Sequence, residues 1–428
     1  MAGPAAAQAD ATPAVPQQVE VRGRSASHAR SDAVGALVVV PREELLRHAD
    51  TRLADALQRV PGVTVVQGGP RGSEIRMAGL GGGYTQLLLN GEPVPPGFAL
   101  DTLSPDSVER VEISRSASVE HSGQAIAGSI NIVLRRAPSQ AQRELKLGLG
   151  MLLGWPTGSA DVQWGDRQGA WNWGLGVGLA ADRQRWPMAL EQQVLDRRSG
   201  ALTQSYSTDK QERDRTERLT LSPRASWAPS PRLSLGTDHL WRVFRSSGAA
   251  LDRRTSQSGA LPPLARNDLF IHSHGHSLRS RANGALTLDD GSKWELKLGV
   301  TQQRRNSRAD FDGWDFADTW VRDAQVDSLA VDSGWNLAGR WRAPGTAAHG
   351  WALGWDAEQT RRSEDRLQRE QPLPGGWPVE NLDEVYDARV QRLAAFAQDE
   401  WALGAGWTAT LGLRWESLHT RSRGNVFE

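Results

Sequence analysis

The sequence predicts a mainly β protein made of two unlike parts: a small α+β domain, then a long train of antiparallel strands. Three observations predict it. All 18 tryptophans lie between Trp155 and Trp415, so the first 154 residues have none. From about residue 138 onward, apolar and polar residues alternate in segment after segment, the period-two signature of strands with unlike faces. Upstream of that point the apolar runs are short and irregular, and Gly/Pro turns separate them.

Composition narrows the function classes. The 428 residues carry 50 Lys+Arg against 50 Asp+Glu, without the basic excess that a nucleic-acid carrier uses to neutralise phosphates. Cysteine is absent, which removes disulfides, thiol nucleophiles and Cys-ligated zinc. No run of about 18 apolar residues exists, so a helical membrane protein is excluded. A membrane β-barrel is not, because its alternating strands average out as hydrophilic.

In chain order, residues 1–18 are expected to be a disordered leader remnant. Met1 to Pro16 is Ala/Pro-rich with too little apolar surface to pack. Ala7-Gln8-Ala9 has the form of a signal-peptidase site, but the basic and apolar segments that should precede it are missing. It reads either as the end of a signal peptide or as a chance Ala-rich tail. Val19-Glu20-Val21-Arg22-Gly23 is a short alternating segment: an isolated strand or linker, or a strand donated to a partner's sheet edge.

Residues 36–137 form the small domain. Leu37 to Val40 is a strand stopped by Pro41, and a helical turn follows over Arg42 to His48. Asp50 or Thr51 is placed to cap a helix whose Leu53, Leu57 and Val60 share one face, and Pro61-Gly62 ends it. Val63 to Gln67 and Glu74 to Met77 are strands around a turn at Gly68 to Gly72. Gly79 to Gly83 is a loop, and Leu87-Leu88-Leu89 runs into Asn90-Gly91, a strong two-residue hairpin signal. After the Pro-rich stretch Pro93 to Pro105, Val111 and Ile113 alternate with charges, and Ile130, Ile132 and Leu134 mark a last strand.

Residues 138–428 hold ten or eleven amphipathic strands. Trp171, Trp173, Leu175, Val177 and Leu179 share one face; Trp294, Leu296, Leu298 and Val300 alternate with Lys293, Glu295 and Lys297. Short turns on one side and long charged loops on the other, such as Arg361 to Asp387, fit an outer-membrane barrel with tryptophan near its interfaces. A soluble β-sandwich fits the same alternation. Trp351 and Trp355 on one face lie about 13 Å apart along a strand, too far for one thin girdle, so some tryptophans are apolar filler.

Few residues suggest chemistry. His272, His274 and His276 alternate, but the outer pair is about 13 Å apart along a strand, so a hydrated lumen or loop face is expected rather than a metal site. Asp310, Asp312, Asp315 and Asp318 around Gly313 fail the calcium-loop register, because Trp314 occupies a ligand position. Gly79 to Gly83 lacks the last glycine of a phosphate loop, where Tyr84 stands. No nucleophile elbow, zincin motif or P-loop is present, so neither an enzyme nor a cofactor is expected.

The small domain resembles the plug of TonB-dependent outer-membrane receptors. The resemblance rests on Val108-Glu109-Arg110-Val111-Glu112-Ile113, on Gln124 to Leu134 with its Ala127-Gly128 and Ile130-Asn131-Ile132, on Leu53 to Leu57 leading to Val60-Pro61-Gly62-Val63, on Ile75-Arg76 and on Leu88-Leu89-Asn90-Gly91. Two turns depart from the pattern: Arg115-Ser116-Ala117 stands where Arg-Gly-Pro is usual, and His121-Ser122 where an aromatic-Gly is usual.

The resemblance implies that the remainder is an antiparallel transmembrane β-barrel in the bacterial outer membrane, facing lipid outside and the plug inside. It implies a monomer that captures a scarce small-molecule or metal-chelate ligand, most of all a ferric siderophore, and imports it with energy passed on by TonB. Val19, Glu20, Val21, Arg22 and Gly23 take the place of the TonB box, with 19–35 as box and linker. Arg71, Gly82, Tyr84 and Phe98 take the place of plug residues that meet ligand; Arg71 would pair an anionic chelate or salt-bridge to the wall. No nucleic-acid partner is implied. About 291 residues remain for the barrel, roughly half of what 22 strands need. The barrel is therefore expected to be truncated to about half its strands. The alternatives are a plug-plus-half-barrel fragment that cannot transport, and a soluble carbohydrate-binding β-protein.

Overall fold

The computed structural model describes residues 37–48, 50, 52–67, 73–80, 84–94, 103, 105–115, 126–135, 137, 140–152, 154–344, 349–404 and 407–425. The plug opens with β1 (Leu37–Pro41) and the short helices α1 (Arg42–Leu46) and α2 (Leu53–Leu57). The strands β2 (Val63–Gln67) and β3 (Ser73–Met77) form a two-stranded antiparallel sheet. Then come β4 (Thr85–Leu89), β5 (Glu92–Pro93), β6 (Val108–Ser114) and β7 (Gly128–Leu134), which join β1 in a five-stranded sheet of order β1-β6-β7-β4-β5. β4 and β7 are parallel, the other pairs antiparallel.

Local chemistry accounts for most of these elements. Asn90 (φ 55°) and Gly91 (φ 81°) both take the left-handed conformation that a tight hairpin turn demands, and the turn joins β4 to β5 as the sequence predicts. The helix cap differs from expectation. Arg52, not Asp50 or Thr51, is the N-cap of α2 and makes no side-chain cap bond. Its guanidinium instead forks onto Asp55 (2.9 and 2.7 Å), while the Asp50 carboxylate is held by Arg59. Thr51 lies outside the described residues.

The other sheet has eleven antiparallel strands, each bonded to its neighbour in sequence: β8 (Gln142–Leu152), β9 (Trp155–Gln168), β10 (Trp171–Leu195), β11 (Leu202–Ser230), β12 (Leu233–Gly259), β13 (Arg266–Thr287), β14 (Lys293–Trp314), β15 (Trp320–Arg342), β16 (His349–Glu370), β17 (Leu382–Gly404) and β18 (Trp407–Gly424). Among the described residues, β8 and β18 each pair on one side only. The charged segment Arg361 to Asp387 is not a loop throughout. Arg361 to Glu370 continues β16, Leu382 to Asp387 begins β17, and the two pair from Gln368–Leu382 onward. β10 to β17 run 22 to 29 residues, whereas about 9–11 cross a bilayer. Most of their length therefore stands outside the membrane on one side.

Side-chain burial divides the molecule sharply. The largest fully buried side chains, among them Leu53, Leu57, Leu89, Val111, Ile113, Ile130 and Ile132, all belong to the plug. The large sheet keeps its apolar residues on an exposed face: Leu145, Leu147 and Leu149 on β8, Trp294 to Val300 on β14, Leu411, Leu413 and Trp415 on β18. That is a wall that meets lipid, not half of a sandwich.

Candidate functional site

The site is the seam between plug and wall, and it begins with the Asn90–Gly91 turn. Inside the plug, the Asn90 N–H donates to Ile132 O (2.7 Å) and the Leu134 N–H donates to Asn90 Oδ1 (2.8 Å). The Gly91 N–H donates to Asn131 Oδ1 (2.7 Å), and Asn131 Nδ2 donates to Glu112 Oε2 (2.8 Å). The separate Leu-Asn-Gly and Ile-Asn-Ile motifs are thus one unit, in which each asparagine satisfies backbone groups of the other's segment.

The turn then meets the wall through polar groups alone. Arg279 donates to Leu89 O (3.0 Å) and Arg281 to Asn90 O (2.7 Å). Arg281 also pairs with Asp238 (2.6 Å), which accepts from Asn90 Nδ2 (3.3 Å). A second anchor joins the other end of the plug to β8. Lys146 Nζ lies 2.8 Å from Asp106, whose main-chain oxygen accepts from Arg42 (2.8 Å). Burial, and then the neighbouring Arg135, lower the Arg42 pKa, against the opposing pull of Asp106, Glu144 and Glu109.

Cavities flank these anchors. One of about 640 Å³ is lined by Asn90, Arg110, Glu112, Arg281 and Lys293, and another of about 310 Å³ by Gln86, Glu112, Lys297, Arg340 and Arg392. A third, of about 530 Å³, lies between Asp106, Asp161 and Arg218. The seam is a set of discrete hydrogen-bonded posts with open space between them. Leu240 is the one wall residue in the plug's apolar core cluster among the described residues.

Of the residues expected to meet ligand, Tyr84 is described, while Arg71, Gly82 and Phe98 lie outside the described residues, as do Val19 to Gly23. Tyr84 is 50% exposed and sits just before β4, ~20 Å along the strand from Asn90. Its carbonyl accepts from the Ala127 N–H (2.9 Å), and next to it the Thr85 hydroxyl donates to Leu80 O (2.7 Å) and accepts from the Met77 N–H (3.0 Å). The stem of the glycine loop is therefore held rigidly. Tyr84 is not among the residues lining the three cavities at the seam.

His272, His274 and His276 do not face the lumen. They share the outward face with Leu278, opposite in parity to Arg279 and Arg281, which touch the plug. Asp310 and Asp312 belong to β14, and Asp315 caps the turn at 315–319 through Ala317 and Thr319 N–H groups. No metal-holding group of three His, Cys, Asp or Glu exists among the described residues. Sequence reasoning missed Asp238, Arg279, Arg281 and Lys146. Their only signal was a charge on the lumen-facing parity of a strand, which many other wall residues share.

Two family models match the chain: "TonB-dependent Receptor Plug Domain" over residues 29–129 and "TonB dependent receptor-like, beta-barrel" over residues 205–427. An iron-regulated outer membrane virulence protein of Vibrio cholerae is 32% identical over 128 residues, which is 27% of this chain and 20% of that protein. The vitamin B12 transporter BtuB of Vibrio vulnificus is 25% identical over 126 residues, 28% of this chain and 21% of that protein. The aligned region thus spans about a fifth of these relatives' length. Among solved structures, the ferric-catecholate import receptor Fiu of E. coli K12 aligns at 12% identity over 90% of this chain and 75% of that one, with a TM-score of 0.47. The ferric yersiniabactin uptake receptor FyuA of Yersinia pestis aligns at 12% identity over 89% and 72%, with a TM-score of 0.42. Plug motifs, polar seam, lipid-facing wall and the two matching models agree: the chain belongs to the TonB-dependent receptors of the bacterial outer membrane.

Proposed function

We propose that the chain takes part in uptake of a scarce metal chelate, a ferric siderophore, with the plug as a gate that TonB opens. In this reading residues 1–18 are leader, 19–35 TonB box and linker, 36–137 plug and 138–428 barrel wall. The observation that carries it is the seam. The plug keeps its own apolar core and touches the wall through posts such as Asn90–Arg281–Asp238 and Asp106–Lys146. A net hydrogen bond is worth about 1 kcal/mol, or about 1.5–3 when charged. A pull on the N-terminus can break such posts one at a time, with water entering the cavities to solvate the freed groups. Iron as the cargo is supported by the relatives' names, an iron-regulated outer-membrane protein and ferric import receptors.

Val19 to Gly23 would add as a strand to TonB, whose backbone hydrogen bonds need only an extended, alternating segment. Ligand would meet Arg71, Gly82, Tyr84 and Phe98 at the outer face of the plug. Titrating the purified chain with ferric siderophores, read by tryptophan fluorescence, tests the site. Arg71→Ala should weaken binding of an anionic chelate about tenfold, the worth of one charge-assisted bond, and leave membrane insertion intact. Unchanged affinity would sink the Arg71 assignment.

A further inference from the structure

The outward face of the wall changes character at one level. Trp294, Leu296, Leu298 and Val300 on β14 are exposed and apolar, and the next outward residues are Gln302 and Arg304. On β12, Trp241 and Val243 are followed by Arg245; on β13, Leu278 is followed by His276 and His274. The register sets Val243, His276 and Arg304 in one row and Arg245, His274 and Asn306 in the next. Directly opposed side chains on a face have Cβ atoms ~5 Å apart, so two arginines and two histidines share one small patch.

Arg245 and Arg304 are exposed and make no ion pair among the described residues. Glu217, opposite Arg245, is engaged by Arg215. Below the patch lies an open groove of about 1150 Å³ with Leu179, Leu219, Trp241 and Val243 on its floor. Farther round the wall, at the same border, Arg361, Arg389 and Arg421 stand directly opposite one another on β16, β17 and β18. Leu393 and Trp415 lie on the same face beneath them, and among the described residues only Arg361 has a carboxylate, Asp387 at 2.8 Å. Like charges directly opposed across a ladder are destabilising. Three in a row call for an anion between them.

We propose that these two patches seat the phosphate groups of the phosphorylated glycolipid that forms the outer leaflet of the outer membrane, with an acyl chain lying in the groove. The inference rests on the outer-membrane location and not on the identity of the cargo. The level fits. The border of the apolar belt is where headgroups begin, and the strand extensions beyond it mark the extracellular side, opposite the short turns at 169–170 and 231–232. The chemistry fits as well, because arginine forks match phosphate oxygens and Leu179 with Trp241 offers an acyl chain an apolar bed.

The test is native mass spectrometry of the full chain in detergent, titrated with bisphosphorylated lipid A, with its dephosphorylated form and with phosphatidylglycerol. The wild type should prefer the bisphosphorylated lipid. Arg245→Gln with Arg304→Gln, and Arg389→Gln with Arg421→Gln, should each lose affinity by about fivefold per arginine. Arg232→Gln, at the opposite rim, should bind like the wild type, and heat-modifiable gel mobility reports folding. If a double variant fails to fold, Arg304→Gln alone reads the same loss. Equal binding of the dephosphorylated lipid, equal binding of phosphatidylglycerol, or unchanged affinity in the folded variants would overturn the proposal.

Discussion

At the residue scale, a few positions carry constraints that no neighbour can relieve. Gly128 has φ +112°, and a Cβ there would lie 2.2 Å from Ser114 O. Gly128→Ala should therefore cost about 3 kcal/mol or more, read as a lower plug unfolding transition by calorimetry. A loss under about 0.5 kcal/mol, the size of an ordinary surface change, would contradict the geometry. Arg281 is the other informative residue, since it bonds both Asn90 O and Asp238. Arg281→Ala should make the plug easier to unfold in urea by about 1–3 kcal/mol, with the wall's own transition unmoved. The Asn90–Gly91 turn was legible in the sequence because positive φ restricts residue type, whereas Gly128 stood out only as part of the plug motif. Arg281 was not, because any inward-facing charge on the long strands fits the same pattern.

At the element scale, the strands were legible only where their two faces differ. Trp294 to Val300 alternates cleanly because one face meets lipid and the other the lumen. Beyond the belt both faces meet water, so Arg361 to Asp387 loses its alternation and resembles a loop, although Arg361 to Glu370 and Leu382 to Asp387 are held as strand by the continuing ladder of β16 and β17. There the sequence still shows a weaker sign, opposite charges two residues apart on one face, such as Arg362–Glu364 (2.8 Å) and Arg308–Asp310 (3.1 Å). Such exposed pairs are worth about 0.2–1 kcal/mol each. The parallel pairing of β4 with β7 left no local trace, since their contact is made by a chain excursion of almost 40 residues. The belt itself predicts that Leu298→Arg should cost about 2–4 kcal/mol of stability in a bilayer, measured by urea unfolding in lipid. Lys297→Arg, one residue away on the lumen face, should cost little. Equal effects would mean that the two faces are assigned wrongly.

At the scale of the whole molecule, two solvents explain the two parts. The plug buries its apolar side chains in its own core, and the wall turns its apolar side chains outward to lipid. Apart from Leu240, which joins the plug's core, the two parts meet through polar posts at Asn90 and Asp106 with cavities between. The gate proposed above would have to hold without being welded, and a seam of this kind meets that requirement. Deleting residues 19–23 should leave ligand binding intact and abolish uptake of radiolabelled iron chelate, if that segment is where TonB pulls.

The most direct measurement is to lock the seam. The chain has no cysteine, so cysteines placed at Asn90 and Asp238, whose side chains are 3.3 Å apart, can be joined by a short bis-maleimide without competition. Cells carrying the unjoined pair should take up iron chelate, and joining the pair should stop uptake while surface binding persists. Undiminished uptake through the joined protein would contradict release of the plug from the wall.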